Sequence, residues 1–291
     1  MGGRLRGGVV PLPTGPASYL SIGVGGVPVV LLHGFAGDRL SWQFNLATLS
    51  LDRRTIAVDF PGHGLSHLDV GSGRVGEFAP WLLSVLDALA IPVAHVVGHS
   101  MGGYVGLELA RLAPGRVASV SLIASAGLGT PFDLGFLRRV VALRTVEEGV
   151  ECAQRLFGGP SPLILRIAEV LHAQCGDPPR QQALQSILEA SFAPHADGGP
   201  AVDWSSIRAP VQALWGDADR VIPLPPPDCL PSDCSLHVFP GIGHMPHAEA
   251  AGPVTQEIRR FLAACDSRHG DAGAMLQSAD LVIDLSGVNQ S

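Results

Sequence analysis

Val93-Ala94-His95-Val96-Val97-Gly98-His99-Ser100-Met101-Gly102-Gly103-Tyr104-Val105-Gly106 is the stretch that decides the fold. Its first five residues are a short valine-rich run, the pattern of a strand buried on both faces of a parallel sheet. The run stops at Gly98, and a helical pattern follows through Val105, Leu107, Leu109 and Ala110 to Leu112, before Pro114. Between them stands Gly98-His99-Ser100-Met101-Gly102, a G-x-S-x-G sequence in the strand–turn–helix setting of a nucleophile elbow. Such a turn strains the serine backbone and projects its hydroxyl from the sheet edge. The flanking glycines remove side chains that would clash in it.

Outward from this stretch the same alternation repeats. Residues 4–10 and 17–22 read as short antiparallel strands around the turn Pro11 to Pro16. Val29-Val30-Leu31-Leu32 and Thr55-Ile56-Ala57-Val58 are buried-strand runs, and Val117 to Ile123 is another. Ser41 is placed to cap a helix through Leu49, and Phe78, Trp81, Leu82, Val85, Leu86 and Leu89 recur at helical spacing. Strand patterns return at 211–215 and 236–239, and a last helix puts Val254, Ile258, Phe261 and Leu262 on one face. Strands alternating with helices through short turns predict an α/β fold with a mainly parallel sheet covered on both faces.

The alternation breaks between about Leu128 and Asp203, where only helical patterns occur, over 133–144, 146–157, 161–175 and 179–192. The expected organisation is a core over 1–127, a helical lid over 128–205, the rest of the core over 206–265 and a polar tail over 266–291. Leu281-Val282-Ile283-Asp284-Leu285 is the apolar run of that tail, an added edge strand or an extension. The lid carries more apolar residues than four short helices bury among themselves, so part of it should roof the strand ends. Arg138, Arg139 and Arg166 are expected to point outward.

Composition excludes several chemistries. The 291 residues are 46% hydrophobic with a net charge of −7, which gives no electrostatic footprint for nucleic acid. All 19 basic residues are arginine, so no lysine is present for a Schiff base, a phosphate-binding loop or a lipoyl or biotinyl attachment. Five cysteines at 152, 175, 229, 234 and 265 show neither C-x-x-C nor zinc spacing, which suits a reduced, cytoplasmic setting. Cys229 and Cys234 are near enough in sequence to meet in a loop. No signal peptide, membrane span, metal or cofactor is expected, and nothing in the sequence sets an oligomeric state.

A serine hydroxyl needs a base to take its proton. His244, in Gly241-Ile242-Gly243-His244 after the last strand pattern, is the one of eleven histidines placed to reach the sheet edge. The acid expected after the preceding strand is Asp219 or Asp217, in Trp215-Gly216-Asp217-Ala218-Asp219-Arg220. Asp219 is favoured because the extra residues carry it toward His244. Backbone N–H groups of Met101 and Phe35 are placed to hold an oxyanion. His33, Gly34 and His99 are the expected substrate-binding residues, His63 a structural or pocket-lining one and His247 a helix-entry residue.

His33-Gly34-Phe35, Asp59 to Ser66, Gly98 to Gly103, Gly216 to Pro223 and Gly243-His244-Met245 together resemble the α/β-hydrolase superfamily. Trp42-Gln43-Phe44-Asn45-Leu46, Leu122 to Gly129 and Gly243 to Ala251 are similar to the hydrolase-like part of bacterial acetoin dehydrogenase acetyltransferase (E2) components. The resemblance runs from about 17 to 264. It implies an α/β-hydrolase fold and a Ser100–His244–Asp219 triad acting on a small or medium acyl ester or thioester. Acyl transfer, a non-catalytic role in a 2-oxo acid dehydrogenase system, and carbon–carbon bond, lactone or perhydrolase chemistry stay open. The E2 resemblance also implies a lipoyl domain joined to this hydrolase-like part, for which no room is expected in these residues and for which they hold no lysine to lipoylate.

Overall fold

Five strands buried along their whole length build the centre of the molecule. The computed structural model describes residues 4–195 and 198–279. Strands β1 (Arg6–Val10) and β2 (Ala17–Ile22) form an antiparallel hairpin, and β2 pairs antiparallel with β4 (Thr55–Val58). From there the sheet is parallel, through β3 (Val29–Leu32), β5 (Ala94–His99), β6 (Val117–Ile123), β7 (Val211–Gly216) and β8 (Ser235–Phe239). The spatial order is β1-β2-β4-β3-β5-β6-β7-β8. Strand order reverses between β3 and β5, and the crevice beyond such a reversal is where open α/β sheets bind ligands.

Successive strand residues feed opposite faces. Val30, Leu32, Ile56, Val58, Val96, Val120 and Leu122 enter one apolar cluster, with α2 (Phe78–Ala88) and α3 (Met101–Leu112). Val29, Leu31, Ala57, Val97, Ile123 and Leu214 enter the other, with Trp42, Leu46 and Leu49 around α1 (Leu46–Leu49) and with Val254, Ile258 and Leu262. The predicted Ser41 cap is replaced. A 3-10 turn over Arg39–Trp42 starts at Asp38, whose carboxylate accepts the Leu40 N–H at 2.7 Å, and α1 begins only at Leu46. The helix after the elbow likewise starts at Met101, four residues before its apolar periodicity, because Gly102 and Gly103 carry no side chain to reveal it.

Between β6 and β7 lie α4 (Leu134–Ala142), α5 (Val146–Leu156), α6 (Ile164–Cys175) and α7 (Pro178–Ile187). Their ends follow capping chemistry. Asp133 accepts the Phe136 N–H at 2.8 Å, Thr145 and Glu148 form a capping box, and Pro178 opens α7. Arg138, Arg139 and Arg166 are exposed. Cys229 and Cys234 are not joined in a disulfide.

After β8, α8 (Pro246–Glu249) leads into α9 (Ala251–Ala279), which continues past 265 without a break. Asp266 clasps α9 beneath the sheet by pairing with Arg53 at 3.0 Å and His95 Nε2 at 3.0 Å, while His95 Nδ1 lies 2.7 Å from Ser119 Oγ. The apolar run 281–285 lies outside the described residues. Among the described residues no helix is long and apolar enough to cross a membrane.

Ile258 is fully buried between α9 and the sheet. Ile258→Ala should cost about 2–5 kcal/mol of unfolding free energy by opening a cavity. Leu5→Ala, at a position half exposed beside β1, should change it by less than about 0.5 kcal/mol. Urea unfolding of the two variants checks the contrast.

Candidate active site

Ser100 sits between the last residue of β5 and the first of α3 with φ 52° and ψ −116°, a strained backbone for a residue with a side chain. The turn closes because a Cβ at Gly98 would collide with the backbone of Gly102 and Gly103, and one at Gly102 with the carbonyls of Leu32 and His33. This contact brings the loop after β3 against the elbow. A Cβ built on Gly34 would stand 3.2 Å from Ser100 Cβ and 2.8 Å from His99 Nδ1. Phe35 and Met101, whose N–H groups are the expected oxyanion donors, therefore flank Ser100. Met101 opens a helix whose first N–H groups have no intrahelical acceptor.

Two buried histidines hold the β3 loop. His33 Nε2 accepts the Phe60 N–H at 3.1 Å, which leaves Nδ1–H to donate to the Gly34 carbonyl at 2.8 Å. His63 Nε2 accepts the Ala36 N–H at 3.2 Å and its Nδ1–H donates to the Pro61 carbonyl at 2.9 Å. Ala36 itself has φ 57°. Burial lowers the pKa of both rings, that of His63 to about 3, so both act as neutral acceptors and donors. Buried Asp59 ties the same region together by accepting the Arg39 N–H at 2.7 Å and the Leu65 N–H at 3.0 Å and pairing with the Arg39 guanidinium.

His244 Nδ1–H donates to Asp219 Oδ2 at 2.8 Å, and both side chains are buried. Asp219 Oδ1 also accepts the Val221 and Ile222 N–H groups at 2.8 and 3.0 Å. The imidazole thus presents Nε2 as an acceptor. Asp217 is exposed and accepts the Gly241 N–H at 2.6 Å, a turn contact away from His244. Among the described residues no hydrogen bond yet joins Ser100 Oγ to His244, a bond that in such sites often tightens only with substrate bound.

Ser100 and His244 line one cavity of about 60 Å³. Gly34, Phe35 and His99 border it from the sheet side, and Phe136, Leu137, Val140, Leu156, Ile167 and Leu171 border it from the helices between β6 and β7. His33 does not line it, since both its ring nitrogens are bound to backbone. Sequence reading missed Ser41, which borders the cavity instead of capping a helix, and Val221, which follows Asp219. The signal for Ser41 was Asp38, a better cap three residues earlier. Among the described residues no group of three or more His, Cys, Asp or Glu is arranged to hold a metal ion.

His99 turns its Nε2–H to the His244 carbonyl at 2.8 Å, and its ring lies 4.9 Å from that of His244 and 4.5 Å from that of His247. His247 in turn packs 4.7 Å from Trp42, fully buried, with neither ring nitrogen hydrogen-bonded among the described residues. Burial, then the nearby His244, lowers its pKa to about 3. The folded value lies below the ordinary 6.5, so between the two the unfolded chain binds more protons. Stability is full above about pH 6.5 and drains as pH falls toward about 3. His247→Phe keeps the ring and removes the titration. Its unfolding free energy, measured in urea between pH 7 and 5, should fall less steeply than that of the wild type, by up to about 1.4 kcal/mol per pH unit.

Comparison with known proteins places this geometry. Residues 29–257 match the alpha/beta hydrolase family. The chain is 38% identical over 244 residues to a protein of Pseudomonas putida named dihydrolipoyllysine-residue acetyltransferase component of acetoin cleaving system, covering 82% of this chain and 64% of that one. It thus spans less than two thirds of that relative. It is 29% identical over 267 residues to a 2-hydroxy-6-oxononadienedioate/2-hydroxy-6-oxononatrienedioate hydrolase of Burkholderia vietnamiensis, covering 84% and 90% of the two chains. Among solved structures, 2-hydroxy-6-oxo-6-phenylhexa-2,4-dienoate hydrolase of Rhodococcus superposes with a TM-score of 0.75 at 23% identity, over 89% of this chain and 99% of that one. By its sheet, its elbow and these matches, the chain belongs to the alpha/beta hydrolase family.

Proposed function

We propose that this protein is a serine hydrolase that cleaves small, uncharged acyl esters or thioesters through Ser100, His244 and Asp219. The observation that carries the reading is that the elbow serine and an aspartate-bound histidine border the same small apolar cavity. In the proposed reaction His244 Nε2 takes the Ser100 proton as Oγ attacks the acyl carbon. The N–H groups of Phe35 and Met101 hold the oxyanion. The intermediate collapses, the leaving alcohol or thiol departs with the proton from His244, and Ser100 keeps the acyl group. Water, deprotonated by His244, then attacks the acyl-enzyme, and free acid leaves as Ser100 regains its proton. Asp219 holds the tautomer and stabilises the imidazolium without taking a proton.

The cavity supports the substrate class. About 60 Å³ leaves room for only a few non-hydrogen atoms, and no arginine, aspartate or glutamate lines it. A dicarboxylate such as the relative's dienedioate would find no cation here, which favours neutral acyl groups over that carbon–carbon bond chemistry. A second reading, acyl transfer to a thiol, is favoured by the similarity to the acetoin-system acetyltransferase component. The two differ only in what attacks the acyl-enzyme, so the partition of a p-nitrophenyl acetate turnover between acetate and acetyl-thioester, with dihydrolipoamide added, separates them.

Ser100→Ala should abolish covalent labelling by a fluorophosphonate probe and lower kcat by about 10³-fold or more with the fold intact. Asp219→Asn should lower kcat by about 10²- to 10⁴-fold, and Asp217→Asn by less than about tenfold. Labelling that persists in Ser100→Ala, or equal losses in the two aspartate variants, would refute the assignment. Across p-nitrophenyl esters, kcat/KM should peak at short acyl chains, since each added methylene in a filled pocket shifts discrimination by about 1–3 kcal/mol. A kcat/KM still rising through about twelve carbons would contradict a closed cavity.

A further inference from the structure

We propose that the C-terminal end of lid helix α5 is the fixed point on which the His244–Asp219 pair is assembled, with Glu249 as the positioning residue that ties the two together. The His244 N–H donates to the carbonyl of Leu156, the last residue of α5, at 2.7 Å. Glu249 Oε1 accepts the N–H of Gly243, the residue before His244, at 2.6 Å. Its other oxygen accepts the N–H of Gly158, in the turn leaving α5, at 2.9 Å. One carboxylate therefore bridges the loop of the base and the lid. Arg220, next to Asp219, donates from Nη2 to the carbonyls of Gln154 and Phe157, each at 2.9 Å. A guanidinium on the last carbonyls of a helix also meets the negative end of its dipole.

The approach is close enough to need bare backbones. A Cβ at Gly243 would stand 2.5 Å from Gly158 N and from Leu156 O, and one at Gly158 would collide with the Gly241 carbonyl. The loop Gly241-Ile242-Gly243 has two glycines and little stiffness of its own. Productive geometry demands tolerances of about 0.5 Å, which the loop reaches only if something outside it sets its position. Hydrogen bonds to an ionised carboxylate are among the strongest neutral-pH ties available for that. The consequence is a lid that moves unevenly. Lifting α5 would release Gly243, and with it His244, so α5 stays docked while substrate passes the side chains of α4 and α6.

The catalytic consequence rests on the Ser100–His244–Asp219 reading, whereas the geometry of the pair is measurable without it. The full chain is compared as wild type, Glu249→Ala and Glu249→Gln. The readouts are the rate of fluorophosphonate labelling, the far-downfield proton signal of His244 Nδ1–H bound to Asp219, and thermal unfolding. Glu249→Ala should label about tenfold or more slowly than wild type and lose or broaden the downfield signal while still unfolding cooperatively. Glu249→Gln keeps one acceptor and should recover part of both. Wild-type labelling with an unshifted signal overturns the proposal, and so does slow labelling with an unshifted signal, because the loss then arises elsewhere. Should Glu249→Ala not fold, Glu249→Gln decides by the same two readouts. A wild type that does not label refutes the hydrolase reading instead, and the proton signal still tests the clamp.

Discussion

The strained turn at Ser100 is the constraint on which the rest of the site depends. A residue held at φ 52° costs about 1–3 kcal/mol and persists only where surrounding structure overdetermines it. Here that structure is the most buried part of the sheet. Every residue of β5 is buried, and α3 packs back on β5 and β6. The bare Gly102 lets the elbow press against the Leu32 and His33 carbonyls. The same pressure that keeps the serine strained therefore delivers the β3 loop, and with it Phe35, to the serine's side.

Burial then sets the state of the histidines around it. His33, His63, His99 and His247 all lie in surroundings that disfavour a second ring proton, desolvation being the largest cause in each. Neutral imidazoles are useful here because each offers one donor and one acceptor in fixed directions. His33 and His63 spend both on backbone and shape the β3 loop, and His99 spends its donor on the His244 carbonyl. His244 differs from them in donating its Nδ1–H to a carboxylate, which leaves Nε2 as an acceptor. Among the described residues neither ring nitrogen of His247 has a partner, and acid stability is what it gives up.

The helical segment between β6 and β7 does more than border the cavity. Its apolar side chains shrink the cavity to about 60 Å³, and the end of α5 accepts hydrogen bonds from the loops that carry Asp219 and His244. On the proposed reading, selectivity for small groups and the alignment of the base would share one piece of structure, so changes in the sequence of these helices would be felt in both.

Much of this was legible in the chain. The valine-rich runs and their helical spacers determined a parallel α/β sheet, because period-2 and period-3.6 burial are imposed locally by strand and helix geometry. The G-x-S-x-G turn marked Ser100, since only glycine admits so tight a bend, and chain order pointed to His244 and to Asp219 over Asp217. The sequence did not reveal that His33 would be locked away from the cavity while Ser41 borders it, or that His99 would brace the carbonyl of His244. Nor did it reveal that Glu249 would span from the base loop to the lid, or how small the cavity would be. These depend on where residues far apart in the chain come together, such as His33 with Phe60, Gly158 with Glu249 and His99 with His244, and loop side chains carry no periodic signal of that. Local sequence determined the elements and the strained turn at Ser100, and tertiary packing decided which polar atoms were left free of backbone partners.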